Sequence, residues 1–149
     1  MKRITYWWPL AKNLAAFLNA QTDDTGEPLF GTAQIYTGAR GTSKSYPCIE
    51  VTYDGEADVP LYMASQGRVI LWIDVWVKSG SKDPEDAYAL QDVFQQRIFS
   101  ALTDWPSYIL ATLQVATKLN LKDVASDGDM YRPACGARIV LEIEWRKSV

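Results

Sequence analysis

Residues 67–80 read GRVILWIDVWVKSG, and the fold class turns on how that run is phased. Its odd-numbered positions, Val69, Leu71, Ile73, Val75 and Val77, are all aliphatic, while the even ones mix Ile70, Trp72 and Trp76 with Asp74 and Lys78. A period of two means that successive side chains point to opposite faces of a sheet, and β-branched and aromatic content favours the same state. The run is interrupted by Asp74 and is far too short to span a bilayer as a helix. Arg68–Lys78 is therefore a strand with one uniformly apolar face and one mixed face.

Three further segments share that phase. Tyr46–Asp54 places Ile49, Val51 and Tyr53 on odd positions; Thr112–Lys122 places Leu113, Val115, Leu119 and Leu121 there; Arg138–Lys147 places Ile139, Leu141, Ile143 and Trp145 there. A short strand is expected over Ala33–Thr37. Two segments change period. Leu10, Leu14, Phe17 and Leu18 fall at i, i+4, i+7 and i+8 behind Pro9, which predicts a helix to about Ala20. Asp83 as N-cap, Pro84 in the first turn, and Glu85 and Asp86 on the helix dipole start a second helix. Ala87, Leu90, Phe94, Ile98, Ala101 and Leu102 carry it to about Asp104, before Pro106, with Leu90, Phe94 and Ile98 expected to be buried. Between these elements, Gln21–Gly31 has turn chemistry and reads as a mobile loop, and GARGTSKS (Gly38–Ser45) as a flexible one. The order helix, three strands, helix, two strands, with no repeat, predicts an α+β fold. The expectation is a single domain over residues 1–149, with a mostly antiparallel sheet of five strands and two main helices on its odd face.

Composition narrows the function. Charged residues at 22% and hydrophobic ones at 48% describe an ordinary globular chain rather than a disordered or membrane one. The net charge of −3 and the lack of any basic run argue against specific nucleic-acid binding, leaving Arg40 and Lys44 as a local basic loop. Lys2 and Arg3 are followed by Pro9, Lys12 and Asn13, which break the apolar core of a signal peptide, so a cytoplasmic start is expected. Cys48 and Cys135 lack metal or disulfide-scaffold spacing and read as two isolated thiols. The chain has no histidine, which removes Ser-His-Asp, Cys-His and His-metal chemistry at once. Gly38, Gly41, Ser43 and Lys44 do not have phosphate-loop spacing, and no cofactor is expected. What remains for catalysis is a carboxylate pair, Asp74 with Glu142 or Glu144, in the manner of a glycosidase; the same residues serve equally as a charge-paired face. The acidic stretch Ser126–Asp129, with Asp123 upstream, lacks the ligand spacing of a calcium loop.

The even face carries the clearest interaction signal. It holds Cys48, Glu50, Thr52, Ile70, Trp72, Asp74, Trp76, Gln114, Lys118, Val140, Glu142 and Glu144. Two indoles present about 400 Å² of surface, and apolar patches of that size are contact sites. Either a loop of the same chain folds over Trp72 and Trp76 or a subunit interface does. The carboxylates beside them point to a wet, acidic space.

The layout resembles phage tail terminator and tail completion proteins. The resemblance rests on the leading helix, the strand ending near Tyr36, Tyr46-Pro47-Cys48-Ile49-Glu50-Val51, GRVILWIDVWVKSG, the acidic-capped DPEDAYALQDVFQQRIFSAL and the closing ARIVLEIEWRKS. It covers most of the chain, with Trp7, Trp8 and the Gln21–Gly31 loop as departures. It implies a protein without catalysis that forms a ring, commonly hexameric, at the head-proximal end of the tail tube, assembled in the bacterial cytoplasm and carried in the virion neck. Its partners are then copies of itself, the tail tube protein and the head-side connector, with DNA only passing through the lumen. A head-closure or adaptor role in the same neck fits nearly as well. A closed ring needs two complementary patches. Trp72 and Trp76 are candidates for one, and Arg40 and Lys44, reaching an acidic neighbour, for the other. Glu50, Asp74, Glu142 and Glu144 would give a lumen that repels phosphates. From other classes, a small carboxylate-dependent enzyme and a monomeric binding module stand as alternatives.

Overall fold

In the computed structural model, which describes residues 3–4, 6–41, 44–54, 59–60, 65–78, 85–126 and 134–147, the strand read from residues 67–80 is the central one. The elements run β1 (Arg3–Ile4), α1 (Trp7–Ala20), β2 (Gln34–Thr37), β3 (Cys48–Tyr53), β4 (Val59–Pro60), β5 (Gln66–Lys78), α2 (Glu85–Leu102), α3 (Trp105–Leu113), β6 (Val115–Ser126) and β7 (Ala134–Lys147). Five strands make one sheet in the order β2-β3-β5-β7-β6, while β1 and β4 pair apart from it. Only β2 and β3 run parallel; the other pairs of the sheet are antiparallel. The fold is α+β with a mostly antiparallel sheet. Asp83 and Pro84, the expected start of α2, lie outside the described residues.

The odd face is the core face. Ile49, Val51, Leu71, Ile73, Val75, Ile139 and Ile143 are buried there against Leu10, Leu14 and Leu18 of α1, Phe94 and Ile98 of α2, and Trp105 and Ile109 of α3, in one continuous cluster. Each such aliphatic side chain contributes about 1.5–3 kcal/mol through burial. At the N-terminal end, Trp7 stacks on Tyr53 with ring centroids 4.2 Å apart, and Trp8 stays 48% exposed.

Four local expectations need correction. The first is α3 (Trp105–Leu113): the expected order has no helix between the end of the second helix near Asp104 and a strand from Thr112. Thr103 and Asp104 make a tight turn, their N–H groups donating to Ser100 and Ala101 carbonyls. A new helix then begins with Pro106 in its first turn, where a missing N–H costs nothing. It ends at Gln114 in the left-handed region (φ 57°), so Leu113 is helical and β6 starts at Val115.

The second is Leu90, which is 38% exposed. Ala87, Phe94, Ile98 and Ala101 form the buried stripe of α2, and at about 100° per residue Leu90 lies to one side of it. The third is Leu121, placed on the core face but 54% exposed because the helical layer is narrower than the sheet, as described below. The fourth is the Gln21–Gly31 loop, which is tied down rather than loose. Asp23 Oδ1 accepts hydrogen bonds from Thr25 N (2.8 Å), Thr25 Oγ1 (2.6 Å) and Glu27 N (3.1 Å). Those bonds, first the one from the Thr25 side chain, hold the Asp23 carboxyl below its ordinary value. Phe30 is buried beside Phe94, and Arg97 donates to the Leu29 carbonyl.

Candidate functional site

Strand register sets the even face row by row. Trp76 lies between Cys48 and Gly136, Asp74 between Glu50 and Arg138, and Trp72 between Thr52 and Val140. Ile70 faces Glu142, Arg68 faces Glu144, and Glu142 and Glu144 in turn face Asn120 and Lys118 of β6. Glu50 opposite Asp74 is a like-charge pair, unfavourable unless each carboxylate has its own cation. Each does. Lys44 Nζ sits 3.1 Å from Glu50 Oε1, and the Arg40 backbone N–H donates to Glu50 Oε2. Arg138 grips Asp74 with two bonds, Nε to Oδ1 at 2.8 Å and Nη2 to Oδ2 at 3.1 Å. Glu142 Oε2 lies 3.6 Å from Arg68 Nη1 and 3.5 Å from Lys122 Nζ.

The same cations cover the tryptophans. Lys44 Nζ lies 4.0 Å from the Trp76 ring centroid and the Arg138 guanidinium 3.9 Å from that of Trp72, while Arg40 sits over Tyr36 at 4.6 Å. Trp76 also lies flat against β7: a Cβ at Gly136 would come 2.7 Å from its ring, so the close approach requires glycine there. Both indoles are half-buried by their own chain. Of the two coverings open from the sequence, the loop one is present at Trp76, through Lys44, whereas Trp72 is covered by Arg138 of β7. Lys44 correspondingly reaches Glu50 of the same chain rather than an acidic neighbour, whereas Arg40 bonds Glu50 only through its backbone N–H and keeps its exposed side chain over Tyr36.

This placement also corrects the reading of the even face as a wet, acidic surface. Glu50, Asp74 and Glu142 are buried in ion pairs, and of the four carboxylates Glu144 alone is exposed. Arg138, Arg68 and Lys122, which neutralise two of them, were missed in the sequence; cross-strand register, rather than spacing along the chain, brings them there. Cys48 and Cys135 are free and buried, and burial followed by the Glu50 charge pushes the Cys48 thiol up to about 11. Among the described residues no three His, Cys, Asp or Glu side chains gather as a metal site, and Asp127 and Asp129 lie outside those residues.

The larger uncovered surface is at the other end of the sheet. β6 is an edge strand of 12 residues, bonded to β7 on one side only among the described residues. α1 packs on β2, β3 and β5, α2 on β5 and β7, and α3 reaches β6 near its start, where Val115 is buried. Beyond that point the helical layer stops short of the sheet. Leu121 is 54% exposed and Val124 41%. A bulge between Leu121 and Asp123 shifts the phase so that Val124 pairs with Ile139 and continues the apolar row. Phe99, Leu102, Pro106, Leu119, Leu121 and Leu141 line a groove of about 490 Å³ between the helices and this edge.

Among the described residues no helix is long and apolar enough to cross a membrane. No family model matches the chain, and a search of curated proteins finds no match to it.

Proposed function

We propose that this chain is a non-catalytic assembly subunit, one member of a ring that closes the head-proximal end of a phage tail tube and presents a surface to the head-side connector. The observation that carries the reading is the open β6 edge with its apolar groove. Long exposed edge strands invite pairing with another chain; on β6 the bulge after Leu121 and the exposed Lys118, Lys122 and Asp123 work against strand addition, so the contact is assigned to the apolar face beside the edge. Here 12 residues of edge run beside bare Leu121 and Val124, a surface suited to continuous contact with another subunit. Ring formation by copies of this chain uses it; the tail tube and connector proteins then meet the two rims, and DNA passes without specific binding. A lumen that repels phosphate rests on Glu144, the one exposed carboxylate of the four. The hexameric count follows from the family resemblance.

The carboxylate-enzyme reading has less support. Asp74 and Glu142 stand four positions apart in register, about 13 Å along the strands, whereas a glycosidase pair works at about 5–9.5 Å. Asp74 is moreover held by both ends of an arginine fork.

Leu121→Glu tests the surface. The variant is expected to keep its far-UV circular dichroism and its denaturation midpoint while losing concentration-dependent assembly in sedimentation velocity. Assembly equal to the wild type's would remove β6 from the interface.

A further inference from the structure

We propose that the groove beside β6 receives the Trp8 indole of a second copy of this chain, so that each subunit carries a knob on one flank and a socket on the other; this rests on the ring reading above. The socket is apolar with an acidic margin. Phe99, Leu102, Pro106, Leu119, Leu121 and Leu141 line its space of about 490 Å³, and Asp104 and Asp123 stand exposed beside it. Thr103 is also in the lining; its hydroxyl donates to the Ser100 carbonyl, so its oxygen still has lone pairs for a donor. The occupant that matches is a large apolar side chain with one N–H and a cation beside it.

Trp8 has those properties. It is 48% exposed and the largest of the exposed apolar side chains among the described residues. Lys12, also exposed, follows it at i+4 on α1, so indole and ammonium share one stripe of the helix. Trp7 meets Trp8 edge-on at 5.3 Å and is itself stacked on Tyr53, which seats the knob on a packed base. A tryptophan buries about 150–250 Å², and tryptophan is over-represented among the side chains that dominate interfaces. The other exposed apolar groups match less well. Tyr88, Leu90 and Val93 share α2 with exposed Asp86 and Asp92, which would set like charges against Asp104. Tyr46 already has Lys78 over its ring at 5.9 Å, and Leu110, four residues beyond Pro106 on α3, belongs to the groove's own side. Knob and socket lie apart, since the sheet order puts β3, which Trp7 abuts through Tyr53, and β6 on opposite sides of β5 and β7. Two different patches are what a closed ring requires of each subunit, because an isologous contact stops at a dimer.

Each half of the contact can be removed separately. Trp8→Ala spoils the knob and Leu121→Glu the socket; each alone is expected to weaken association by about thirtyfold or more and to sediment as a folded monomer where the wild type assembles. An equimolar mixture of the two should form a 1:1 heterodimer and nothing larger, because one intact knob meets one intact socket. A charge exchange gives an independent reading should either variant unfold. Lys12→Glu sets a carboxylate against Asp104 and is expected to weaken association by about fivefold or more, and Lys12→Glu/Asp104→Lys in one chain should bring it back to within about twofold of the wild type. A Trp8→Ala protein that assembles like the wild type, a mixture that stays monomeric, or a charge exchange without recovery overturns the inference and leaves the ring reading in place. So does a loss of assembly in Val93→Glu with none in Trp8→Ala, which would assign the groove to α2. A wild type that assembles neither in solution nor on tail tubes overturns both.

Discussion

Trp105→Ala is expected to lower the free energy of unfolding by about 3–5 kcal/mol, the range for truncating a large buried aromatic. Trp105 is fully buried, at 0% exposure, in the cluster shared by the helices and the sheet. Its Nε1–H donates to Asn13 Oδ1 at 2.9 Å, and Asn13 Nδ2 donates in turn to Thr112 Oγ1 at 2.8 Å, so the indole also fixes α3 to α1. Alanine leaves a cavity and removes the donor from Asn13. Trp105→Phe keeps most of the volume and should lose chiefly the hydrogen bond, a net effect of about 0.5–1.5 kcal/mol beyond imperfect packing. Urea titration of both variants measures the difference. A loss under about 1 kcal/mol for Trp105→Ala would mean that α3 does not close the core.

Lys44→Met is expected to cost a similar amount, toward the lower end of about 3–5 kcal/mol, for an electrostatic reason. The Lys44 side chain is 10% exposed and that of Glu50 2%, with 3.1 Å between Nζ and Oε1. Removing the ammonium strands a buried carboxylate directly across from Asp74, although the Arg40 N–H still bonds it. The cation over Trp76 goes as well. Replacing both partners removes the stranded charge, so Lys44→Met/Glu50→Leu should recover most of the loss. Denaturant titrations of the four proteins form a double-mutant cycle. A double variant no more stable than Lys44→Met would show that the stranded Glu50 is not the cause, and a negligible single effect would show that the loop does not close over the face.

These two residues mark where the sequence could be read and where it could not. The odd face was legible because Val69 to Val77, Ile49 to Tyr53 and Ile139 to Trp145 repeat a period of two that only a half-buried sheet explains. Helix α3 was hidden by Pro106, whose two meanings, the end of one helix and the first turn of the next, are identical locally; only the turn at Thr103 and Asp104 separates them. Leu90 and Leu121 share one lesson. Amphipathic phase specifies which way a side chain points but not how far the covering layer extends, and both lie near that layer's margin. On the even face, Glu50 and Asp74 were placed correctly, yet their environment was not, because Lys44 comes from a loop and Arg138 from a strand 64 residues away in the chain. Asp23 shows the same limit in a loop: turn-forming residues were visible, but the three hydrogen bonds that Asp23 Oδ1 accepts were not.

Negative-stain imaging of the purified protein mixed with tail tubes of the long-tailed phage that the proposed function implies tests the central claim most directly. A single ring seated on one end of each tube, with the tubes no longer growing, is the expected result. Tubes that keep lengthening with both ends bare, in the presence of folded wild-type protein at concentrations where it is in excess over tube ends, would contradict it.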